Sequence, residues 1–387
     1  MSPSSTSLTM NSLNMRTKGK RVLIFSLAYY PMVGGAEIAV KEITDRFSDI
    51  EFDMVTMRFN SVGPAKETLG NCTVYRIGGG LGYLSKILFV PYTALFAMHL
   101  NKTRRYDAFW AIMTNMLFPI TLMRFFGNRT PYILTLQDGD PFERVFQRLR
   151  IRIFLPLLKY GFHYASQIQA ISNFLALWAV QMGYKGDLAV IPNGVDITKF
   201  NNVQSRTLDK DNVVLITTSR LVEKNAVGDI IDAMKFLPES VSIKILGTGP
   251  LEQVLKLKVE NLKLGNRVEF LGEVPHYDIS KYLYEADIFV RPSLSEGQGI
   301  SFIEAMAAVL PVIATPVGGI IDFLRDGETG LFCEVNNPES IARQVKRLIE
   351  DGSLRNRITT KAEKMVKERY DWDIIAGEMK AKIFDTV

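Results

Sequence analysis

"DIFVRPSLSEGQGISFIEAMAAVLPVIATPVGG", residues 287 to 319, sets a short apolar run before a polar, glycine-bearing turn, and a helix-length apolar segment before a second short run. The first run reads as a strand, "SEGQG" as its turn, "ISFIEAMAAVL" as a helix stopping at Pro311, and "PVIAT" as the next strand. Ile300, Ile303, Met306, Ala307 and Leu310 are expected to form the core-facing stripe of that helix. The runs are continuously apolar rather than alternating, which predicts strands buried on both faces of a parallel sheet.

The same unit recurs in both directions. Toward the N-terminus stand "RVLIFSL", "FDMVTM", "TVYRIG", "DAFWAIM", "PYILTLQ", "SQIQAIS" and "LAVIPN"; around the opening stretch stand "NVVLITTSR", "VSIKILG", "RVEFLG", "ADIFVRPS", "PVIAT" and "TGLFCEV". Two such series predict two doubly wound α/β domains, joined by the polar stretch "DITKFNNVQSRTLDKD" at 196–211. The expected division is a disordered tail over 1–17, one domain over 18–198, a second over 199–369, and a last segment, 370–387, packing back on the first. The run within "KGKRVLIFSLAYYPMVGGAE" imitates a signal peptide, but after a polar tail it also fits the first buried strand.

At 387 residues and 47% hydrophobic, the chain has ample core material for two domains. Cys72 and Cys333 match no metal or redox spacing, which points to a reducing compartment, and His99, His163 and His276 are too scattered for a metal cluster. The most apolar stretch, "AFWAIMTNMLFPITLM", is interrupted by Asn115 and Pro119 and ends at Arg124, so no spanning helix is expected. Charge is uneven. Residues 1–200 hold 22 Lys and Arg against 13 acids, whereas the remainder holds 24 against 28. A basic first half suggests an anionic surface or acceptor.

Ligands of doubly wound sheets sit beyond the carboxyl ends of the strands, so the turns there carry the chemistry. "YYPMVGGAE" places Gly34 and Gly35 at a strand-to-helix turn, where paired glycines let a backbone approach a phosphate. The dinucleotide fingerprint is absent, since Glu252 stands where "GTGPLE" needs its third glycine, and a Walker loop is absent too. "TTSRLVEKN" sets Arg220 and Lys224 four apart after a strand, suited to clamping a diphosphate or merely to forming a solvated basic turn. In the opening stretch, backbone N–H groups at 297–300 can bind phosphate oxygens at the helix start. Helix side chains lean toward the N-terminus, so Glu304 can reach over that turn to a vicinal diol, while Glu296 meets hydroxyls on the other side.

These residues resemble a known family. "SEGQGISFIEAMAAVLPVIATPVGG" is similar to the E-x7-E region of retaining family 4 glycosyltransferases, which have the GT-B fold of two Rossmann-like domains facing across a cleft. "GGAE", "IPNGVD", "SRLVEKN", "GTGP" and "FLGEVP" follow in the family's order, and the resemblance spans roughly residues 20 to 370. It implies a hexosyltransferase-type enzyme moving sugar from a UDP- or GDP-sugar to a glycan or lipid-linked acceptor, with no cofactor or metal and the anomeric configuration kept. Arg220 and Lys224 match the diphosphate-binding pair, Glu304 the ribose-binding glutamate, and Glu296 the acid contacting the donor sugar. Gly35 matches the loop closing over the phosphates, with Gly34 beside it. With Asn193, Val274, Gly297, Gln298, Gly299 and Ile300, these make the expected donor site. Leaving-group stabilisation then falls to two cations and a helix N-terminus.

The chain also departs from the family. Gln137 in "LTLQDGDP" replaces the usual histidine, and is expected to alter sugar contacts rather than abolish activity. Asp138 and Asp140 spell a D-x-D run, read here as ordinary loop chemistry rather than a metal site. Gln298 stands in place of an aromatic, and "AAVLP" replaces a small-residue turn.

The acceptor is expected on the first domain. "LGYLSKILFVPYTALFAMHLNKTRR" and "QRLRIRIFLPLLKYGFHY" are basic and apolar together, as core helices with solvated faces are, and as peripheral contacts with an anionic bilayer also are. The expected setting is cytoplasmic, peripheral on the membrane, with no nucleic acid partner. The rival readings are a GT-B-type nucleotide-sugar epimerase and a non-catalytic nucleotide-sugar-binding protein.

Overall fold

The computed structural model describes residues 19–59, 63–79, 83–200 and 208–387; the expected tail and residues 201–207 of the expected linker lie outside the described residues. The first sheet comprises β1 (Lys20–Phe25), β2 (Ile50–Met57), β3 (Lys66–Leu69), β4 (Cys72–Ile77), β5 (Ala108–Ile112), β6 (Tyr132–Leu136), β7 (Gln167–Ala170) and β8 (Leu188–Val190), in the order β3-β4-β2-β1-β5-β6-β7-β8. The second comprises β9 (Val213–Thr218), β10 (Val241–Leu246), β11 (Val268–Gly272), β12 (Ile288–Arg291), β13 (Val312–Ala314) and β14 (Leu331–Phe332), in the order β11-β10-β9-β12-β13-β14. Every strand expected from the sequence is present, and their pairings are parallel. The exception is β3, which has no apolar run to announce it and pairs antiparallel with β4 at the sheet edge.

Helices fill the crossovers. In the first domain these are α1 (Gly35–Asp45), α2 (Tyr83–Arg104), α3 (Leu117–Phe125), α4 (Phe142–Phe146), α5 (Leu149–Arg152), α6 (Leu155–His163) and α7 (Asn173–Gln181). In the second they are α8 (Val227–Ala233), α9 (Glu252–Asn261), α10 (Ile279–Tyr284), α11 (Ile300–Ala307), α12 (Pro338–Glu350) and α13 (Gly352–Arg369), and α14 (Trp372–Met379) follows. Alternate residues of β1 feed opposite layers. Leu23 and Phe25 pack with Phe89 of α2, Met123 of α3, Phe162 of α6 and Trp178 of α7, while Val22 and Ile24 pack with Ile38 of α1 and Ile375 of α14.

The C-terminal segment therefore lies on the first domain. Trp372, Ile375, Met379 and Phe384 are buried there, each contributing about 1.5–3 kcal/mol by area. Val195 and Asp371 form a parallel bridge beside it.

One expectation needs correction. α11 has no single core-facing stripe: Phe302 and Ala305 are as buried as Ile303 and Met306, and Ile300 is only half-buried. The helix packs on α13 as well as its own sheet, so it is enclosed rather than amphipathic. It also ends at Ala307, before Val309 turns to φ +59°.

In each sheet the order reverses beside the first strand, between β1 and β5 and between β9 and β12. Such reversal points open a crevice at the carboxyl edge, and the two crevices face each other here. No helix among the described residues is long and apolar enough to cross a membrane.

Candidate active site

The turns after β9 and β12 form the second domain's wall of the cleft. After β9, Arg220 is exposed, and its carbonyl accepts from Asn225 Nδ2 at 2.6 Å. Lys224 sits in a single 3-10 turn whose carbonyl accepts the Leu294 N–H at 2.7 Å, which ties the two turns together. The Lys224 ammonium lies 3.9 Å from Asp140 Oδ1 across the cleft.

After β12 the opening stretch is organised by a residue the sequence reading passed over. Arg291, at the strand's last position, pairs with Glu296 Oε2 and donates to Ser301 Oγ at 2.7 Å and Asn225 Oδ1 at 3.1 Å. Its guanidinium also stacks over the Phe302 ring, 5.1 Å from the centroid. Glu296 Oε1 accepts from the Gly297 N–H at 3.0 Å. Arg291 and Glu296 are both buried, so each compensates a charge that alone would be costly there.

The turn is also pinned from behind. Gly319 N–H donates to the Glu296 carbonyl at 3.0 Å, and Gly318 has φ +54° with that carbonyl so near that a Cβ would lie 1.9 Å from its oxygen. The pair of glycines in "PVGG" is needed for this approach.

Glu304, one turn into α11, is buried and meets a second overlooked residue. His276 Nε2, in the 3-10 turn after β11, lies 2.6 Å from Glu304 Oε1. Both line a narrow crevice with Gly194, Ile279 and Ile300. Val274, two residues before His276, is partly buried against the core that holds Phe289. The signal for His276 was its place just after a strand's carboxyl end, whereas Arg291 stood unremarked inside a strand run.

The first domain's wall is polar but carries fewer charges. Gln137 Oε1 accepts from Asn193 Nδ2 at 3.2 Å. Asn193 in turn exchanges two backbone bonds with the Gln298 amide, N–H to Oε1 at 2.7 Å and Nε2–H to C=O at 2.9 Å. All three side chains are buried, so this chain of amides crosses from one domain to the other. Beside it, Ser295 Oγ donates to the Gly139 carbonyl at 3.1 Å, and a Cβ on Gly139 would stand 2.6 Å from Lys224 Nζ. Asp138 Oδ1 accepts from Thr114 Oγ1 at 3.2 Å, while its other oxygen is buried without a partner, and burial pushes its pKa up to about 6. Among the described residues, no group of three or more His, Cys, Asp or Glu is placed to share a metal ion.

Two helix N-termini converge on the same space. The Gly34 N–H donates to Glu37 Oε2 at 2.8 Å as α1 begins, and a Cβ on Gly35 would lie 3.4 Å from Ile300 Cδ1 at the start of α11. Gly299, at φ +84°, makes the entry into that helix. The starts of both helices, the Lys224 ammonium, Glu296 Oε1 and the Gly297 N–H therefore lie close together, an arrangement whose positive helix ends and cation suit an anion. Gly34, Gly35, Gln137, Asn193, Arg220, Lys224, Glu296–Ile300 and Glu304 thus meet at one cleft.

Two doubly wound domains facing across such a cleft are the GT-B architecture. Residues 33–199 match the family described as Glycosyltransferase Family 4, and residues 198–365 match Glycosyl transferases group 1. The chain belongs to this family of glycosyltransferases and is an enzyme of that class. It is 26% identical to an uncharacterised glycosyltransferase of Methanocaldococcus jannaschii, over 91% of this chain and 95% of that one. It is 23% identical to the N-acetyl-alpha-D-glucosaminyl L-malate synthase of Bacillus anthracis, over 94% and 97%. The crystal structure of Anabaena HepE in complex with UDP and glucose superposes with a TM-score of 0.76 at 21% identity, over 95% of this chain and all of that one.

Proposed function

We propose that this chain transfers a sugar from a UDP- or GDP-sugar with retention of anomeric configuration and without a metal ion, to a glycan or lipid-linked acceptor held by the first domain. The observation that carries the reading is the convergence of Lys224, the Gly297 N–H and the starts of α1 and α11 at the cleft, with Arg220 on the neighbouring turn after β9. In this reading the chain itself supplies the counter-charge that a departing diphosphate needs.

The donor's diphosphate lies against Arg220, Lys224 and the 298–300 backbone, its ribose on Glu304, its base beside Val274, and its sugar between Glu296 and Gln137. Glu296 suits that place because Arg291 and the Gly297 N–H fix its carboxylate in one orientation. The acceptor hydroxyl approaches the anomeric carbon from the face the diphosphate leaves. A phosphate oxygen receives the hydroxyl proton as the new C–O bond forms and the old one breaks. The setting we assign is the cytoplasmic face of a membrane, with peripheral attachment to anionic lipid.

Product NMR tests the reaction. An α-linked nucleotide sugar should give an α-linked product, at a rate that EDTA leaves unchanged. A β-linked product, or activity abolished by EDTA and restored by a divalent cation, would overturn the respective part of the reading.

A further inference from the structure

We propose that the outward face of α2, with the Ile153–Phe154 corner between α5 and α6, is the surface that seats this protein on an anionic lipid bilayer. The inference rests on the membrane setting proposed above and names the face and orientation that setting requires.

α2 is apolar on both sides. Its inner face buries Phe89, Ala94, Ala97 and Leu100 in the domain core. Its outer face presents Leu84, Ile87, Leu88, Tyr92 and Leu95, from 48% to 59% exposed, at a spacing that lines them along one side of the helix. A helix apolar all round is one enclosed by protein or lipid, and nothing among the described residues covers this side. Ile153, 73% exposed, and Phe154 extend the patch. α3 packs against both α2 and α6, and its Phe118 meets Phe154 edge-on at 5.9 Å, so the three helices form one layer.

Topology sets this patch beside the cleft. α2 has 22 residues, about 33 Å, whereas β5 has five, about 17 Å. The helix ends three residues before β5 begins, so its first half lies at the carboxyl edge, the edge carrying Gly34, Gln137 and Asn193. Phe154 stands at the start of α6 and so at the same edge.

Charge selects the partner. Residues 83–105 contain four Lys and Arg and no acid, and residues 142–163 contain five against the single Glu143. Arg144, Arg148, Arg152 and Lys159 are exposed around the apolar corner. Outward apolar side chains rimmed by cations fit the interface of an anionic bilayer, where the former enter the acyl boundary and the latter meet headgroups. A lipid-linked acceptor would then reach the cleft from the membrane plane without crossing bulk water.

The test is co-sedimentation of the full chain with phosphatidylcholine vesicles with or without phosphatidylglycerol. Wild type should bind only the anionic vesicles, and Ile87→Glu/Leu95→Glu/Ile153→Glu should bind them at least about tenfold more weakly. Arg144→Gln/Arg148→Gln/Arg152→Gln should also weaken binding and flatten its salt dependence, which keeps the proposal testable if the first variant misfolds. No binding by wild type overturns it, as does undiminished binding by both variants. A dimer that the apolar variant dissolves, with no vesicle binding, would assign the face to a second copy instead. Nucleotide-induced thermal stabilisation, measured on the same variants without vesicles, should be unchanged. Loss of vesicle binding with that shift intact is therefore separable from failure of the donor site.

Discussion

The two walls of the cleft are built differently. The second domain's wall is set in place before any ligand arrives: Arg291 holds Glu296, Asn225 and Ser301 at once, and His276 holds Glu304. The first domain's wall is made of amides, glycines and one buried acid with an unpartnered oxygen, and behind it lies the more apolar outer surface. The difference teaches which half must be rigid. A leaving diphosphate needs fixed charges, whereas an acceptor varies from one family member to another and asks only for shape and a few hydroxyl partners.

Breaking the rigid wall should cost most. Arg291→Ala leaves the Glu296 carboxylate buried without its cation, and should lower stability by about 3–5 kcal/mol. Chemical denaturation measures this, and a loss under about 1 kcal/mol would mean that the turn does not depend on the pair. Lys224→Ala should reduce kcat by about 10²–10³-fold and weaken nucleotide affinity by a smaller factor, by analogy with deleting one preorganised oxyanion partner. An unchanged kcat with a raised KM would make Lys224 a binding group only.

Smaller effects sharpen the contrast. Glu304→Ala should weaken nucleotide binding by about 1–3 kcal/mol in calorimetry, and unchanged affinity would remove Glu304 from the donor site. His276→Ala should raise the donor KM several-fold at constant kcat, about one hydrogen bond's worth, with partial recovery in His276→Gln. Equal kcat losses in both variants would argue for a chemical role instead.

The pH dependence belongs to the other wall. The Asp138 carboxyl titrates near 6 in the folded protein and near 3.8 when unfolded, so the native state binds the proton more tightly between those values. Stability should therefore fall as pH rises from about 4 to 6, relative to Asp138→Asn, and stay lower above that range. Parallel stability profiles for the two proteins would contradict the burial of this group.

Much of this was legible in the sequence because buried parallel strands write themselves as continuous apolar runs. β3 was not, being a short edge strand whose exposed residues carry no such run. The cleft residues at strand ends were legible as turn chemistry, and the family resemblance gave them roles. Arg291 and His276 were not, because their meaning lies in partners, Glu296 and Glu304, that sequence spacing does not reveal as contacts. The enclosure of α11 was hidden for a related reason: its second cover, α13, comes from some fifty residues later. The outward stripe of α2 was half visible. Its composition showed apolar and basic residues together, but which side faced the core required the fold.

The most direct test of the donor wall is thermal unfolding of the purified chain against UDP, GDP, ADP, dTDP and CMP. A nucleotide at 100 times its Kd should add about 2.7 kcal/mol, several degrees for the domain that binds it. UDP or GDP should shift the transition, and Arg220→Ala and Lys224→Ala should each diminish that shift. No shift from any nucleotide, or one that survives both substitutions, would contradict this placement of the donor.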